Sequence, residues 1–364
     1  MIDLHQDDVT LGRHVQQHYG HLSPAPNPDM RRRMQDWDQP LADEAQDEAA
    51  ALRWLETPAY GIAEAEARNR ARGALLGLAV GDAVGTTIEF TPRDSARVED
   101  MVGGGPFNLQ PGEWTDDTSM ALCLADALIA DRDFNPETFA RLLSRWYREG
   151  YNSMNGRCFD IGMATRTAIE GREALGMRWR GNTDPATAGN GSIIRLAPLA
   201  IAYRSSLEAI WRLAQPASVV THGALEAIHG ARLLGIILCH LLQGAGRDEA
   251  FAPKIAPLPP RLQIINAGEY KSKTRDQIRS SGYVVDTLEA ALWAVWNTDN
   301  FRDAVLLAAN LGDDADSVAA VAGQLAGALY GESGMPQAWR ARLAWSDDIR
   351  NRADTLFDLQ LSGE

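Results

Sequence analysis

Cysteine is scarce: the 364 residues hold three, Cys123, Cys158 and Cys239, far apart and without CxxC spacing. That excludes a disulfide framework and a thiolate metal site, and it fits a reducing cytoplasm. Positive charge is in deficit, with 35 Lys and Arg against 49 Asp and Glu and a net charge of -14. A field of that sign repels nucleic acid and anionic lipid, so any polyanion has to be held locally or through a metal. The best apolar run, residues 233–242, is broken by His240 and falls short of the roughly 18 residues a membrane span needs. The opening MIDLHQDDVT has no basic-then-apolar leader pattern, so secretion and membrane insertion are not expected. Alternating β-branched runs closed by tight turns are almost absent, which argues against a sheet.

What is present is Ala, Leu and Gly at helical spacing from residue 70 onward. The expected fold is all-α: a single compact multi-helix domain over residues 64–364, preceded by an arm over residues 1–63. In RGALLGLAVGDAVG the glycines Gly73, Gly77, Gly81 and Gly85 recur every four residues and share one helix face. Glycine costs about 1 kcal/mol in a helix interior, so such a row implies a second backbone packed against it. Val318, Val321, Ala322, Leu325 and Leu329 form an apolar stripe flanked by Ala319, Gly323, Ala326 and Gly327, the pattern of a central helix. Further helices are predicted over 119–131, 136–149, 224–243, 287–296, 301–310 and 336–358, and a long loop over 244–273. In the arm, SPAPNPDMRRRMQDWDQP is proline-rich and ADEAQDEAAALRWLE reads as a short acidic helix.

Two acidic clusters stand out: Thr115, Asp116, Asp117 and Thr118, then Asp313, Asp314, Asp316 and Ser317, each just ahead of an apolar helix. Either one alone reads first as a helix cap. A cap needs one oxygen, however, and crowded carboxylates repel unless a cation sits among them. Oxygen ligands without Cys or nearby His select a hard ion, Mg²⁺, Mn²⁺ or Ca²⁺, and two clusters suit two ions, which can bind a substrate oxygen and activate a water. Glu89 stands awkwardly between Ile88 and Phe90. The Gly103, Gly104, Gly105 tip reads as a flexible loop, and Gly189, Asn190, Gly191 and Ser192 as an Asn-Gly turn or an anion-binding nest. His222 sits at a helix entrance as a cap, core or ligand histidine. The other histidines are read as lacking ligand spacing.

Taken in order, GALLGLAVGDAVGTTIEF, GEWTDDTSMAL, GNGSIIRLAPLAI, THG and NLGDDADSVAAVAGQLAGALYG resemble the ADP-ribosylglycohydrolase family, over roughly residues 70–331. The resemblance implies an all-α fold with a binuclear Mg²⁺ or Mn²⁺ centre that removes ADP-ribose from modified side chains. It places metal ligands at Thr115, Asp116, Asp117, Asp314, Asp316 and Ser317, the last commonly Thr in the family. It assigns Glu89, Asp117 and Asp160 to catalysis, and ADP-ribose contacts to Gly103, Gly104, Gly105, Gly189, Asn190, Gly191, Ser192 and His222. Met163 stands where some members carry Asn.

The expected activity is metal-dependent hydrolysis of ADP-ribosylarginine on a protein substrate, with no nucleic-acid or membrane partner. Members with N-terminal extensions include immunity proteins against ADP-ribosyltransferase toxins, and Tyr19, Met30, Arg31, Arg32, Arg33, Met34, Trp37 and Trp54 give the arm interface-type residues. The alternatives are a regulatory ADP-ribosylarginine hydrolase without a toxin partner and a helical Mg²⁺-dependent isoprenoid synthase. Asp116 and Asp117 are followed by Thr, Ser, Met and Ala rather than by the DDxxD of such synthases.

Overall fold

The computed structural model describes residues 1–23, 60–175 and 180–361. Among them the chain forms fifteen α-helices and no strand. Six helices shape the centre of the domain and its N-terminal cover: α1 (Asp8–Tyr19), α2 (Glu64–Gly85), α3 (Asp116–Asp131), α4 (Leu225–Leu242), α5 (Val284–Trp296) and α6 (Ala315–Tyr330).

The glycine row does what its spacing implies. A Cβ on Gly77 would lie 2.2 Å from the Gly323 carbonyl oxygen, and one on Gly323 would lie 2.0 Å from that of Gly77. Gly73 meets Gly327, Gly81 meets Ala319 and Gly85 meets Ala315 in the same way. No side chain larger than hydrogen fits at Gly73, Gly77 or Gly81, so the entropic cost of helical glycine is offset by backbone-to-backbone packing. As residue numbers rise along α2 they fall along α6, so the two helices are antiparallel. The C-terminus of α2, which leads into Glu89, therefore ends beside the N-terminus of α6, which carries Asp316.

Helix α4 has a mean hydropathy of 1.5 over 18 residues and is long and apolar enough to cross a membrane; 89% of it is buried among other helices. Its apolar stretch is longer than the 233–242 run read from the sequence, because Ala227, Ile228 and Ala231 join the same core. Two other expectations are corrected. Residues 336–358 form two helices, Gln337–Arg342 and Ser346–Leu359, interrupted where Trp345 turns left-handed at φ 57°. Its ring meets Trp114 edge-on, with centroids 5.2 Å apart. The stretch 244–273 is not one loop but holds helices Arg247–Ala250 and Pro260–Ala267. Pro260 sits at a helix start, where its missing N–H costs nothing, and Leu262, Ile264 and Ile265 are buried.

The first 23 residues pack on the domain. Leu4, Leu11 and Leu22 are buried, and Glu269 accepts from Ile2 N at 3.1 Å, His14 Nε2 at 2.6 Å and Tyr19 Oη at 2.6 Å. His14 and His18 stand four apart on α1 with ring centroids 4.6 Å apart, a ligand-type spacing that the sequence reading overlooks. The expected acidic helix, with Met30, Arg31, Arg32, Arg33, Met34, Trp37 and Trp54, lies outside the described residues.

Candidate active site

One buried carboxylate fixes the meeting of the helices. Asp82, on α2, accepts from Thr115 N and Oγ1, both at 2.9 Å, and from Thr118 N and Oγ1 at 3.0 and 2.6 Å. These four bonds tie the first turn of α3 to α2, three residues before Gly85 meets α6. The sequence reading missed Asp82, although it is the one charge between Arg72 and Glu89. On the far side, Phe90 N donates to Asp313 O at 2.7 Å and Asp313 N to Thr91 O at 2.9 Å, fastening the Glu89 turn to the loop before α6.

A cavity of about 620 Å³ opens where these elements meet, lined by Glu89, Asp116, Asp117, Asp160, Asp314 and Asp316 among others. Carboxylate oxygens of Asp116, Asp117 and Asp316 lie within 4.8 Å of one another, and so do those of Glu89, Asp160 and Asp316. Asp316 belongs to both groups. Neither acidic cluster caps its helix: Thr115 precedes α3 and Asp314 precedes α6, and neither side chain bonds a free helix amide. Asp117 Oδ2 and Asp316 Oδ1 are buried without a hydrogen-bond partner, a costly state for carboxylate oxygens. Among the described residues no Lys or Arg pairs with any of the six. The nearby buried Arg195 is taken up instead by Thr221 Oγ1 at 2.6 Å and Ala217 O at 3.3 Å.

Burial first, then mutual repulsion, raises the proton affinity of the cluster. Glu89 is pushed up to about 10, with Asp160 and Asp314 as the next causes, and Asp160 to about 7. Asp116, Asp117 and Asp316 are held well above the usual carboxylate range by the same causes. Asp82 reaches only about 6, because its four hydrogen bonds oppose burial. Unpartnered carboxylate oxygens and clustered like charges form a donor set suited to hard divalent cations.

The opposite wall holds Gly189, Asn190, Gly191 and His222. Asn190 Nδ2 donates to Asp314 Oδ2 at 2.7 Å and Thr287 Oγ1 at 3.0 Å. Burial lowers His222 to about 3, so the ring is neutral. Thr221 Oγ1 accepts from Arg195 Nη2 at 2.6 Å and lies 2.8 Å from His222 Nδ1, which anchors the ring. Gly189 and Gly191 leave the Nε2 edge bare: a Cβ on Gly191 would lie 2.4 Å from His222 Cε1. Of the four amides in the anion-nest reading, Gly189 N is spent on Thr187 O and Asn190 N on Gly282 O.

The remaining sequence-predicted residues fall at differing distances from the cavity. Ser317 lines it. Thr115 sits behind the carboxylates, its Oγ1 3.4 Å from Asp316 Oδ2. Ser192 is turned away, donating to Ala227 O at 3.1 Å. Gly103, Gly104 and Gly105 do not line the cavity; Gly105 packs on the backbone of Thr86, in the turn that leads to Glu89. Ser281 and Gly282 line it and were not foreseen; the only signal is the small, turn-prone SSGY just before α5.

The ADP-ribosylglycohydrolase family model matches residues 63–364. The chain belongs to the ADP-ribosylglycohydrolase family. It is 59% identical over 358 residues to "ADP-ribosylarginine hydrolase Tri1" of Pseudomonas putida strain GB-1, covering 98% of this chain and 96% of that one. A protein of the same name from Serratia proteamaculans strain 568 is 54% identical, with 98% of each chain covered. "ADP-ribosyl-[dinitrogen reductase] glycohydrolase" of Rhodospirillum rubrum is 32% identical over 80% of this chain and 96% of its own. A solved structure titled "ADP-ribosylglycohydrolase-related protein complex" superposes with a TM-score of 0.72 at 39% identity, over 82% of this chain and 100% of that one. Like its family, this glycohydrolase is all-α and an enzyme.

Proposed function

We propose that this glycohydrolase is a cytoplasmic, divalent-metal-dependent ADP-ribosylarginine hydrolase whose N-terminal arm engages an ADP-ribosyltransferase toxin. The observation that carries the metal is the pair of unpartnered oxygens on Asp117 and Asp316, buried within a group of three carboxylates. Arginine as the modified residue is supported by the printed names of the two relatives that match over nearly the whole chain. Three unpaired thiols suit a reducing cytoplasm.

Thr115, Asp116, Asp117, Asp314, Asp316 and Ser317 would hold two ions, Mg²⁺ or Mn²⁺. Bound there, such ions supply Lewis acidity toward ribose hydroxyls and lower the pKa of a water. The Glu89 carboxylate would take the proton of the attacking water. Asp160, grouped with Glu89 and Asp316 on the cavity wall, would pass a proton to the departing guanidine nitrogen. The C–N bond to the anomeric carbon breaks, water's oxygen replaces nitrogen, and the buried carboxylates stabilise the oxocarbenium character that develops. Neutral His222 faces the cavity beside Gly189 and Gly191, and Asn190 holds Asp314 in register.

The test is release of free ADP-ribose from an arginine-ADP-ribosylated protein with and without Mg²⁺: release only with Mg²⁺ is expected, and none in either case refutes the reading. For the arm, residues 24–59 are exchanged for a Gly/Ser linker of equal length. Toxin binding should be lost and hydrolysis kept; unchanged toxin affinity would remove residues 24–59 from the toxin-binding surface, and no toxin binding by the wild type would leave the regulatory hydrolase without a toxin partner as the better account.

A further inference from the structure

Residues 2–8 lie outside the family-matched region, yet they reach the back of the active-site wall by two routes. His5 Nε2 donates to Asp286 Oδ1 at 2.8 Å, and Asp286 Oδ2 accepts from Ser281 Oγ at 2.6 Å. In the second route Arg261 donates to Leu4 O at 2.8 Å and Gln6 O at 2.9 Å, pairs with Asp8, and contacts Glu226 Oε1 at 3.2 Å. The other oxygen of Glu226 accepts from Tyr283 Oη. Both routes end on residues 281–283, and the His5 ring stands edge-on to Tyr283.

That loop holds the far wall of the cavity. Gly282 O accepts from Asn190 N at 3.0 Å, Ser280 O from Asp314 N at 3.0 Å, and Ala188 O from Val284 N at 3.0 Å. Ser281 O accepts from Thr287 Oγ1 at 3.0 Å, and that hydroxyl in turn accepts from Asn190 Nδ2. Gly282 approaches Asp314 so closely that a Cβ there would lie 3.2 Å from Oδ2. A shift of the loop therefore moves Asn190 and Asp314 together. Asp286 is buried and holds both oxygens occupied, one by the loop and one by His5. Without His5 the carboxylate keeps one strong partner and is free to rotate.

We propose that His5 is a positioning residue for ligand binding: through Asp286 and Ser281 it fixes the loop that sets Asn190 and Asp314 against the cavity. The segment ahead of the glycohydrolase domain is then part of the working site, and whatever disturbs its docking lowers affinity for the ADP-ribosyl group. Only the affinity arm of the test rests on the proposed function; the loop-rigidity arm does not.

The test compares full-length wild type, His5→Ala and His5→Gln by amide hydrogen exchange and by calorimetric titration with ADP-ribose. His5→Ala should speed exchange at residues 281–284 by about tenfold and raise the ADP-ribose Kd about fivefold, with the melting temperature nearly unchanged. His5→Gln, whose amide can still donate to Asp286, should restore both. Wild-type exchange and affinity in His5→Ala would overturn the proposal. So would a general loosening of α1 with a lowered melting temperature and no rescue by Gln, since that describes a structural clamp. If wild type bound no ADP-ribose, the functional reading would fall, while loop exchange would still decide the role of His5.

Discussion

Replacing Asp82 separates what holds the site together from what reacts in it. Its two oxygens accept four hydrogen bonds, two backbone and two hydroxyl, all from the first turn of α3. Asp82→Ala leaves two buried amides without acceptors and opens a space beside the glycine seam. At about 1 kcal/mol for each bond, with relief of a buried charge offsetting part of it, the loss should be about 3 kcal/mol. That is a large share of the 5–15 kcal/mol of a typical domain. Asp82→Asn keeps one acceptor oxygen and should lose about half as much. Because Asp82 orients Asp116 and Asp117 without lining the cavity, both variants should also weaken Mn²⁺ binding about tenfold or more, Ala more than Asn. Urea unfolding and Mn²⁺ titration on the same samples measure both. Equal effects of Ala and Asn, or lost stability with unchanged metal affinity, would refute this role for Asp82.

Three further outcomes are expected. Glu89→Gln should lower turnover about 100-fold while changing ADP-ribose affinity less than threefold, as for a group acting in the transition state; equal losses would mark a structural residue. Folded Asp82 and Asp160, at about 6 and 7, hold protons that the unfolded chain has already released near 4, so metal-free stability should fall as pH rises from about 4 to 7. The slope of melting temperature against pH should flatten in Asp160→Asn, and added Mg²⁺ should stabilise more at pH 8 than at pH 6; a slope unaltered by the substitution would contradict this. Gly191→Ala drives a methyl into His222 and should weaken ADP-ribose binding with the helical spectrum intact; unchanged affinity would remove His222 from the ligand site.

The sequence made the centre of this fold legible because two helices repeat small residues at one spacing, and only backbone contact explains such a row. It made the carboxylates legible because Asp116, Asp117, Asp314 and Asp316 are too many for caps. Asp82 was hidden by its neighbours, since an aspartate inside a glycine helix reads as part of the helix until its partners on α3 are seen. The support of Asn190 by Ser281 and Gly282 was hidden for another reason: those residues are almost a hundred positions from it and meet through backbone carbonyls that carry no sequence signal. The first 23 residues looked detachable because their anchors, Glu269, Arg261 and Asp286, lie far along the chain.

If the crowded carboxylates exist to hold divalent cations for ADP-ribose hydrolysis, metal uptake depends on them. Titration of Mn²⁺ into wild type and into the double variant Asp116→Ala, Asp316→Ala tests it most directly. Two ions should bind per wild-type chain, with binding lost in the variant while its helical spectrum is kept. Undiminished Mn²⁺ uptake by the variant, or none by wild type, would contradict it.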